Sequence, residues 1–224
     1  MRSIGIFGGA FDPIHFGHLR TAFELMTALD LAAVHFVPSG DPPHKNRPQA
    51  GGDIRFQMIN AAIEGQAGFV ADDRELNRSG PSYSIDTLES LRKEHPDDAL
   101  CLLIGMDAFL GLPEWHRWQE IPALAHVVVA HRPGWSPPRV GLVGDLLASR
   151  GTSRATDLRE ARSGRVYIQE VTQLEISSSG VRALVSQGGD PRFLLPHAVA
   201  AIIEQTGCYG QPQRSIGTKE RNHA

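Results

Sequence analysis

The chain has 224 residues and a formal net charge of −3, from 22 basic and 25 acidic side chains. A chain of this length predicts a single domain with a sizeable buried core. The mild charge excludes a nucleic-acid coat or a membrane-surface binder, so any anionic ligand must be held by a local site.

The first half of the chain alternates short apolar runs with longer amphipathic stretches. This pattern predicts strands at 2–7, 34–37 and 69–71, and helices at 17–29 and 53–65. A loop rich in Pro, Gly and Asp separates the second strand from the second helix.

The second half continues the alternation. It predicts a helix from Ser84 to about His95, strands at 100–104, 126–130 and 166–168, and two final helices. The near-continuous apolar runs suit strands that are buried on both faces of a parallel sheet. The spacing therefore predicts a doubly wound, Rossmann-like α/β fold, with a parallel sheet flanked by helices and a small helical portion at the C-terminal end.

Two segments lack this regularity. Between 133 and 164 no clear period is present, and the arginines that run from Arg139 to Arg165 outnumber the acidic residues. We interpret this segment as a solvated surface insertion. Residues 211–224 are polar and aperiodic, which predicts a disordered tail after a single domain at 1–210.

The cysteines and the lengths of the apolar runs indicate in which compartment the protein is found. Cys101 and Cys208 lie outside any CxxC or Cys/His pattern, which argues against a disulfide scaffold or a structural zinc site. No apolar run approaches the roughly 20 residues of a membrane span, and the glycine-broken start lacks a signal-peptide core. We therefore expect a cytoplasmic protein that binds neither membrane nor nucleic acid.

The turn after the first strand carries the strongest chemical signal. It reads GGAFDPIHFGH from Gly8 to His18, which is neither a GxGxxG fingerprint nor a GxxxxGK[ST] phosphate loop. Gly8 and Gly9 allow the backbone to approach an anion closely, and the helix start at His18 offers N–H groups. His15 faces the same side of this turn as His18. The segment predicts a phosphate site in which two imidazoles stabilise the charge that develops during phosphoryl transfer.

This turn and a later ISSSGVR segment resemble the paired GGxFDPxHxGH and ISSTxxR signatures of the HxGH nucleotidyltransferases. The likeness is greatest to the bacterial nicotinate-nucleotide adenylyltransferases, because PPHK, RELNRSGPSYSIDTL and IGMDAFLGLPEWHRW follow in order. The resemblance implies transfer of AMP from ATP to nicotinate mononucleotide, giving nicotinate adenine dinucleotide (deamido-NAD) and pyrophosphate.

On the ATP side, the resemblance carries the catalytic roles to His15, His18 and Arg182. His18 is the better candidate for stabilising the transition state, and Arg182 would hold the β- and γ-phosphates. The ATP-binding residues that the resemblance implies are Gly8, Gly9, Phe11, Gly105, Asp107, Arg132, Ile176, Ser177, Ser178 and Ser179. Taken alone, the serine run favours helix capping.

On the acceptor side, the resemblance implies that His44 and Lys45 lie near the acceptor phosphate. Trp115 would stack on the pyridine ring, and amides near Ser84 and His116 would bind its carboxylate.

Two positions depart from the family pattern, and we expect these departures to affect the level of activity and not the class of reaction. Ala10 replaces a hydroxyl residue, and Ser179-Gly180 replaces the usual threonine and its successor.

No protein metal site is predicted. Mg²⁺ would be carried mainly by the ATP phosphates and water, since it keeps few protein ligands. The acidic run at 72–75 could suggest a carboxylate cluster, but we interpret it as a solvated charge run.

Several alternatives stay open at this point. The same fold and reaction could serve nicotinamide mononucleotide or phosphopantetheine as acceptor. A non-catalytic nucleotide sensor is disfavoured by the presence of His15, His18 and Arg182, since a sensor needs no transition-state contacts. A tRNA-charging enzyme is excluded by length and charge. Homo-oligomer formation is left open.

Overall fold

A computed structural model describes residues 1–41, 48–131, 137–172 and 174–210. The predicted tail at 211–224 lies outside these residues. The strands are β1 Ser3–Gly9, β2 Ala33–Pro38, β3 Phe69–Ala71, β4 Ala99–Gly105, β5 His126–His131, β6 Gly151–Thr152 and β7 Val166–Glu170. They form one seven-stranded sheet in the order β3-β2-β1-β4-β5-β7-β6, and all the pairings are parallel.

Helices cover both faces of the sheet. They are α1 Phe16–Leu29, α2 Gly52–Ile63, α3 Ser84–Glu94, α4 Met106–Leu110, α5 Ile121–Leu124, α6 Gly141–Arg150, α7 Ser178–Ser186 and α8 His197–Thr206. One apolar cluster joins α1, α2, α7 and α8 to the sheet, and a second joins α3 to α6 to the opposite face. Across the described residues, every helix is too short or too polar to cross a bilayer.

The central strand β4 shows why the sequence pattern was informative. Successive side chains of a strand point to opposite faces of the sheet. Cys101 and Leu103 join the first apolar cluster, while Leu100, Leu102 and Ile104 join the second. Every position of this run must therefore be apolar, and the predicted doubly wound α/β fold is confirmed.

The stretch predicted as irregular contains more structure than expected. Within its described part, 137–164, α6 buries Val143 and Leu146 against the second cluster. This helix spans ten residues, so fewer than three turns display the helical period, and the interior Gly144 weakens the pattern further. The arginines of this stretch are exposed, as predicted.

The strand order places the mouth of a ligand crevice. The chain winds outward from β1 through β2 to β3 and then returns to β4 on the other side of β1. In open α/β sheets, ligands bind where the winding reverses, beyond the carboxyl ends of the strands. Gly9 and Gly105, the last residues of β1 and β4, therefore border the expected site.

Candidate active site

A cavity of about 650 Å³ opens at this crevice. Its volume lies within the usual range for small-molecule sites. The residues named from the sequence that line it are Gly8, Gly9, Phe11, His18, Ser84, Gly105, Trp115, His116, Ser178, Ser179 and Arg182. The fold thus brings residues of both signature segments to one cavity with three of the five predicted acceptor residues, Ser84, Trp115 and His116.

His15 and His18 form a stacked pair at the start of α1. Their ring centroids lie 3.8 Å apart with an angle of 25° between the planes. The backbone N–H of His15 donates to Nδ1 of His18 at 3.3 Å. Because Nδ1 accepts, a neutral His18 carries its proton on Nε2. Phe11 packs edge-on against the His18 ring at 5.1 Å, which fixes the direction of this donor.

Gly17 explains why a glycine stands between the two histidines. A Cβ atom at Gly17 would lie 3.0 Å from both Cε1 and Nδ1 of His15, and 3.5 Å from the carbonyl oxygen of Ile176. A larger residue at this position would press on the His15 ring, which would have to shift by a few tenths of an ångström. The glycine therefore leaves the room in which the His15 ring lies.

The serine run holds the second signature against the first. Ser177 caps α7, since its Oγ accepts a hydrogen bond from the N–H of Gly180 at 3.1 Å. Ser178 donates from Oγ to the carbonyl oxygen of Pro13 at 2.9 Å. Ser178 and Ser179 begin α7 at the cavity wall. A helix N-terminus at this place favours an anion.

Arg182 lies one turn further along α7. Its Nη1 donates to the carbonyl oxygen of Asp12 at 2.7 Å and lies 3.6 Å from Oδ2 of the Asp12 carboxylate. Its Nε is buried and has no hydrogen-bond partner within the described part of the chain. The guanidinium is thus held at one end and retains an unused donor.

Asp12 lies beneath the cavity with 3% of its surface exposed. Its carboxylate accepts hydrogen bonds from the N–H groups of Gln49 at 2.8 Å and Ala50 at 3.1 Å, and from the Tyr209 hydroxyl at 2.7 Å. Burial and this contact raise the pKa of Tyr209, so the phenol remains a donor. The Asp12 carboxylate is therefore saturated by internal donors.

Another wall of the cavity is built around the start of α3. Oγ of Ser82 accepts hydrogen bonds from the N–H groups of Gly40 at 2.9 Å and Asp41 at 3.2 Å. The ring of Tyr83 lies against that of His116, with centroids 4.3 Å apart. Aromatic faces and the first N–H groups of a helix thus meet on this wall.

Residues 6–184, which include both signature segments, match the family model described as cytidylyltransferase-like. A probable nicotinate-nucleotide adenylyltransferase of Aeromonas hydrophila is 48% identical over 206 residues, covering 92% of this chain and 96% of the relative. The corresponding Methylococcus capsulatus protein is 42% identical over 209 residues, covering 93% and 100%. The chain belongs to the nicotinate-nucleotide adenylyltransferase family.

Solved structures agree on the fold of this family. The Plasmodium falciparum nicotinic acid mononucleotide adenylyltransferase, complexed with NaAD, is similar with a TM-score of 0.69. The match covers 93% of this chain and 98% of that one at 16% identity. A putative nicotinate-nucleotide adenylyltransferase from Vibrio parahaemolyticus gives a TM-score of 0.61 over 91% of this chain and 99% of that one, at 18% identity.

Some residues that the family resemblance named do not line the cavity. Asp107 is exposed in the first turn of α4, and Ile176 and Ser177 lie just before the cavity-lining serines. His15 is buried behind His18. The other three named residues lie outside the described part of the chain: His44, Lys45 and Arg132.

The interpretation of 72–75 as a solvated run is wrong. Asp72 is 9% exposed and Glu75 is 8% exposed. Asp72 lies 2.8 Å from Nε of Arg74 and 2.9 Å from Nδ1 of His35. Glu75 accepts a hydrogen bond from Oγ1 of Thr87 at 2.6 Å, and burial raises the pKa of its carboxyl. These charges are buried because each finds a polar neighbour from another element, which local sequence does not reveal.

Several residues at or below the cavity have no role predicted from the sequence. Glu75, Ser82 and Tyr83 line the cavity. Arg55 lies beneath the first turn, 2% exposed. The PSYS segment offered a signal for Ser82 and Tyr83, whereas a lone arginine within a helical pattern is ordinarily a surface residue.

The burial of His15 has a consequence for stability. The ring is 4% exposed, and burial lowers the pKa of His15 from 6.5 to about 4. Between pH 6.5 and about 4, the unfolded state therefore binds a proton on His15 that the folded state does not bind. The stability that neutral His15 contributes is fully present above pH 6.5 and is lost as the pH falls through about 4.

We expect the difference in Tm between wild type and His15→Asn to shrink as the pH falls from about 7 to about 4.5. Thermal unfolding followed by circular dichroism at several pH values measures this difference. His126, whose pKa is also lowered by burial, is common to both proteins and cancels. A difference that stays constant with pH would contradict the expectation.

Proposed function

We propose that this chain transfers the adenylyl group of ATP to nicotinate mononucleotide. The observation that carries the proposal is one cavity that His18, Arg182 and Trp115 all line. The first two suit a polyphosphate and the third suits a flat heterocycle. One enclosure can therefore align the two substrates of an adenylyl transfer.

The proposed reaction is a direct in-line displacement. An oxygen of the acceptor phosphate forms a bond to the α-phosphorus of ATP, and the bond from that phosphorus to the bridging oxygen of the β-phosphate breaks. Pyrophosphate leaves with the electron pair. The protein supplies alignment and charge stabilisation without a covalent intermediate.

Each group on the ATP side has a defined task in this proposal. His18 donates from Nε2 to a phosphate oxygen that gains negative charge. Arg182, anchored by the Asp12 carbonyl, holds the leaving pyrophosphate. The N–H groups at the start of α7, near Ser178 and Ser179, contribute a second positive pole. His15 supports the His18 ring by stacking.

The wall that contains Trp115 and the start of α3 suits a pyridine carboxylate. Trp115 offers a ring face for stacking, and α3 begins at Ser84 beside it on the cavity wall. The N–H groups at a helix start favour an anion over a neutral amide. The wall therefore favours nicotinate over nicotinamide. The roles of His44 and Lys45 at the acceptor phosphate stay predictions.

The donor set of the cavity also fits Mg²⁺ carried by ATP. The named groups facing the phosphates are hydrogen-bond donors, and among the described residues no cluster of His, Cys, Asp and Glu side chains is arranged to hold a metal. Phosphates and water are the usual ligands of this ion. When bound, it would neutralise phosphate charge, while the side chains named above orient the phosphates.

The test is pyrophosphate release from ATP and Mg²⁺ with nicotinate mononucleotide, nicotinamide mononucleotide or phosphopantetheine as acceptor. We expect a preference for the nicotinate form. Trp115→Leu is expected to raise the KM for that acceptor about tenfold, since a lost stacking contact costs roughly 1–3 kcal/mol.

Trp118→Leu is the matched control, because Trp118 packs against the second apolar cluster and does not line the cavity. It should lower stability and leave the acceptor KM unchanged. Preference for another acceptor would overturn the assignment of the pyridine wall. ATP binding without turnover on any of the three would instead favour a nucleotide sensor.

A further inference from the structure

Arg55 joins three stretches of chain beneath the cavity. Its Nη1 donates to the carbonyl oxygen of Ala10 at 2.7 Å, its Nη2 to that of Ser39 at 2.8 Å and its Nε to that of Ala50 at 3.1 Å. These are charge-assisted bonds from a side chain that is 2% exposed. Arg55 itself does not line the cavity, so it lies behind the backbone that does.

Fixing a carbonyl also fixes the N–H of the same peptide group. In a trans peptide the two point in opposite directions. The Ser39–Gly40 peptide illustrates the effect, since the Ser39 carbonyl turns towards Arg55 and the Gly40 N–H donates to Oγ of Ser82 on the cavity wall.

The same geometry applies to the peptide between Ala10 and Phe11. Its carbonyl turns towards Arg55, so its N–H, which belongs to Phe11, turns away from Arg55 on the side of the cavity. Within the described part of the chain this N–H has no backbone acceptor. Phe11 has a φ of 47°, a region that bulky residues rarely occupy, so the turn needs external support.

We propose that Arg55 is a positioning residue that aims the Phe11 N–H at the ATP phosphates. This inference rests on the proposed adenylyl transfer. It has particular weight in this chain because Ala10 lacks the hydroxyl that could otherwise supply a donor here. Arg55 acts through the peptide and touches neither substrate.

The experiment compares Arg55→Lys with Arg92→Lys. Arg92 also donates to several backbone carbonyls, including those of Leu124, Asp98 and Arg162. These carbonyls lie away from the cavity. A lysine keeps the charge at either site and loses the forked geometry. Both variants should lower Tm, which removes stability as the explanation for any difference in activity.

We expect Arg55→Lys to lower kcat by about 10–100-fold, with a smaller rise in the KM for ATP, because an oriented N–H contributes most to the transition state. Arg92→Lys should keep both constants within about twofold of wild type, the range expected for a change remote from the site. Equal kcat values in the two variants would overturn the inference. Absence of pyrophosphate release by the wild type would instead overturn the proposed function.

A measurement on the wild-type chain covers the case in which Arg55→Lys does not fold. Inorganic pyrophosphate with Mg²⁺ is added to ¹⁵N-labelled protein, and the amide resonances are followed. The Phe11 amide proton should shift downfield as it bonds to the anion. The Gln49 amide, already bonded to Asp12, should move little. A Phe11 amide that does not respond to bound pyrophosphate would overturn the inference.

Discussion

Replacing His18 by alanine is expected to lower kcat/KM for adenylyl transfer by about 10²–10³-fold, the cost of removing one oriented donor at a developing negative charge. The donor is oriented in advance, because the His15 N–H engages Nδ1 and Phe11 packs against the ring. Its loss should therefore act on kcat more than on the KM for ATP. Steady-state pyrophosphate release measures both constants.

Two further substitutions separate the roles of the His18 nitrogens. Asparagine places a polar group where Nδ1 lies and can still accept from the His15 N–H, whereas glutamine reaches the position of Nε2. We expect His18→Gln to retain more activity than His18→Asn. His197→Ala, at the exposed start of α8, serves as a neutral control. Equal activity of the glutamine and asparagine variants would show that the Nε2 donor is not what matters.

Features of the fold and of the site could be predicted from the sequence where a local residue pattern has a single structural explanation. β4 could be predicted because both faces of the strand are buried, which forces a continuous apolar run. The pairing of His15 with His18 could be predicted because residues three apart share a helix face. Their stacking at 3.8 Å could not, since it depends on the room that Gly17 leaves.

The burial of polar and charged residues was the main feature that could not be predicted from the sequence. Arg55 lies within a helix, where an arginine normally faces solvent. It is buried because carbonyl groups from the turn after β1 and from both ends of the connection between β2 and α2 converge on it. Glu75 is buried for a similar reason, through Thr87 on α3. Such contacts are determined by the tertiary arrangement of loops, and no periodicity in a single sequence encodes them.

Arg182 is the second side chain whose removal should have a large effect. We expect Arg182→Ala to lower kcat/KM by about 10³-fold, because a guanidinium that stabilises phosphoryl charge contributes that much or more. The side chain is placed by its bond to the Asp12 carbonyl, and its buried Nε has no other partner in the described residues. Arg182→Lys keeps the charge and loses the fork, so it should fall between wild type and alanine.

The control for Arg182 is Arg192→Ala. Arg192 is exposed and pairs with Asp190 at the surface, so its loss should leave kcat/KM unchanged. Arg182→Ala also leaves the Asp12 carbonyl without its donor, so Tm must be measured for each variant. A lower Tm with unchanged kcat/KM would assign Arg182 to the fold alone. If Arg182→Ala loses activity at a nearly unchanged Tm, and the activity of Arg182→Lys lies between those of wild type and alanine, then the forked guanidinium acts on the phosphates. A purely structural bond to one carbonyl would not need a second donor.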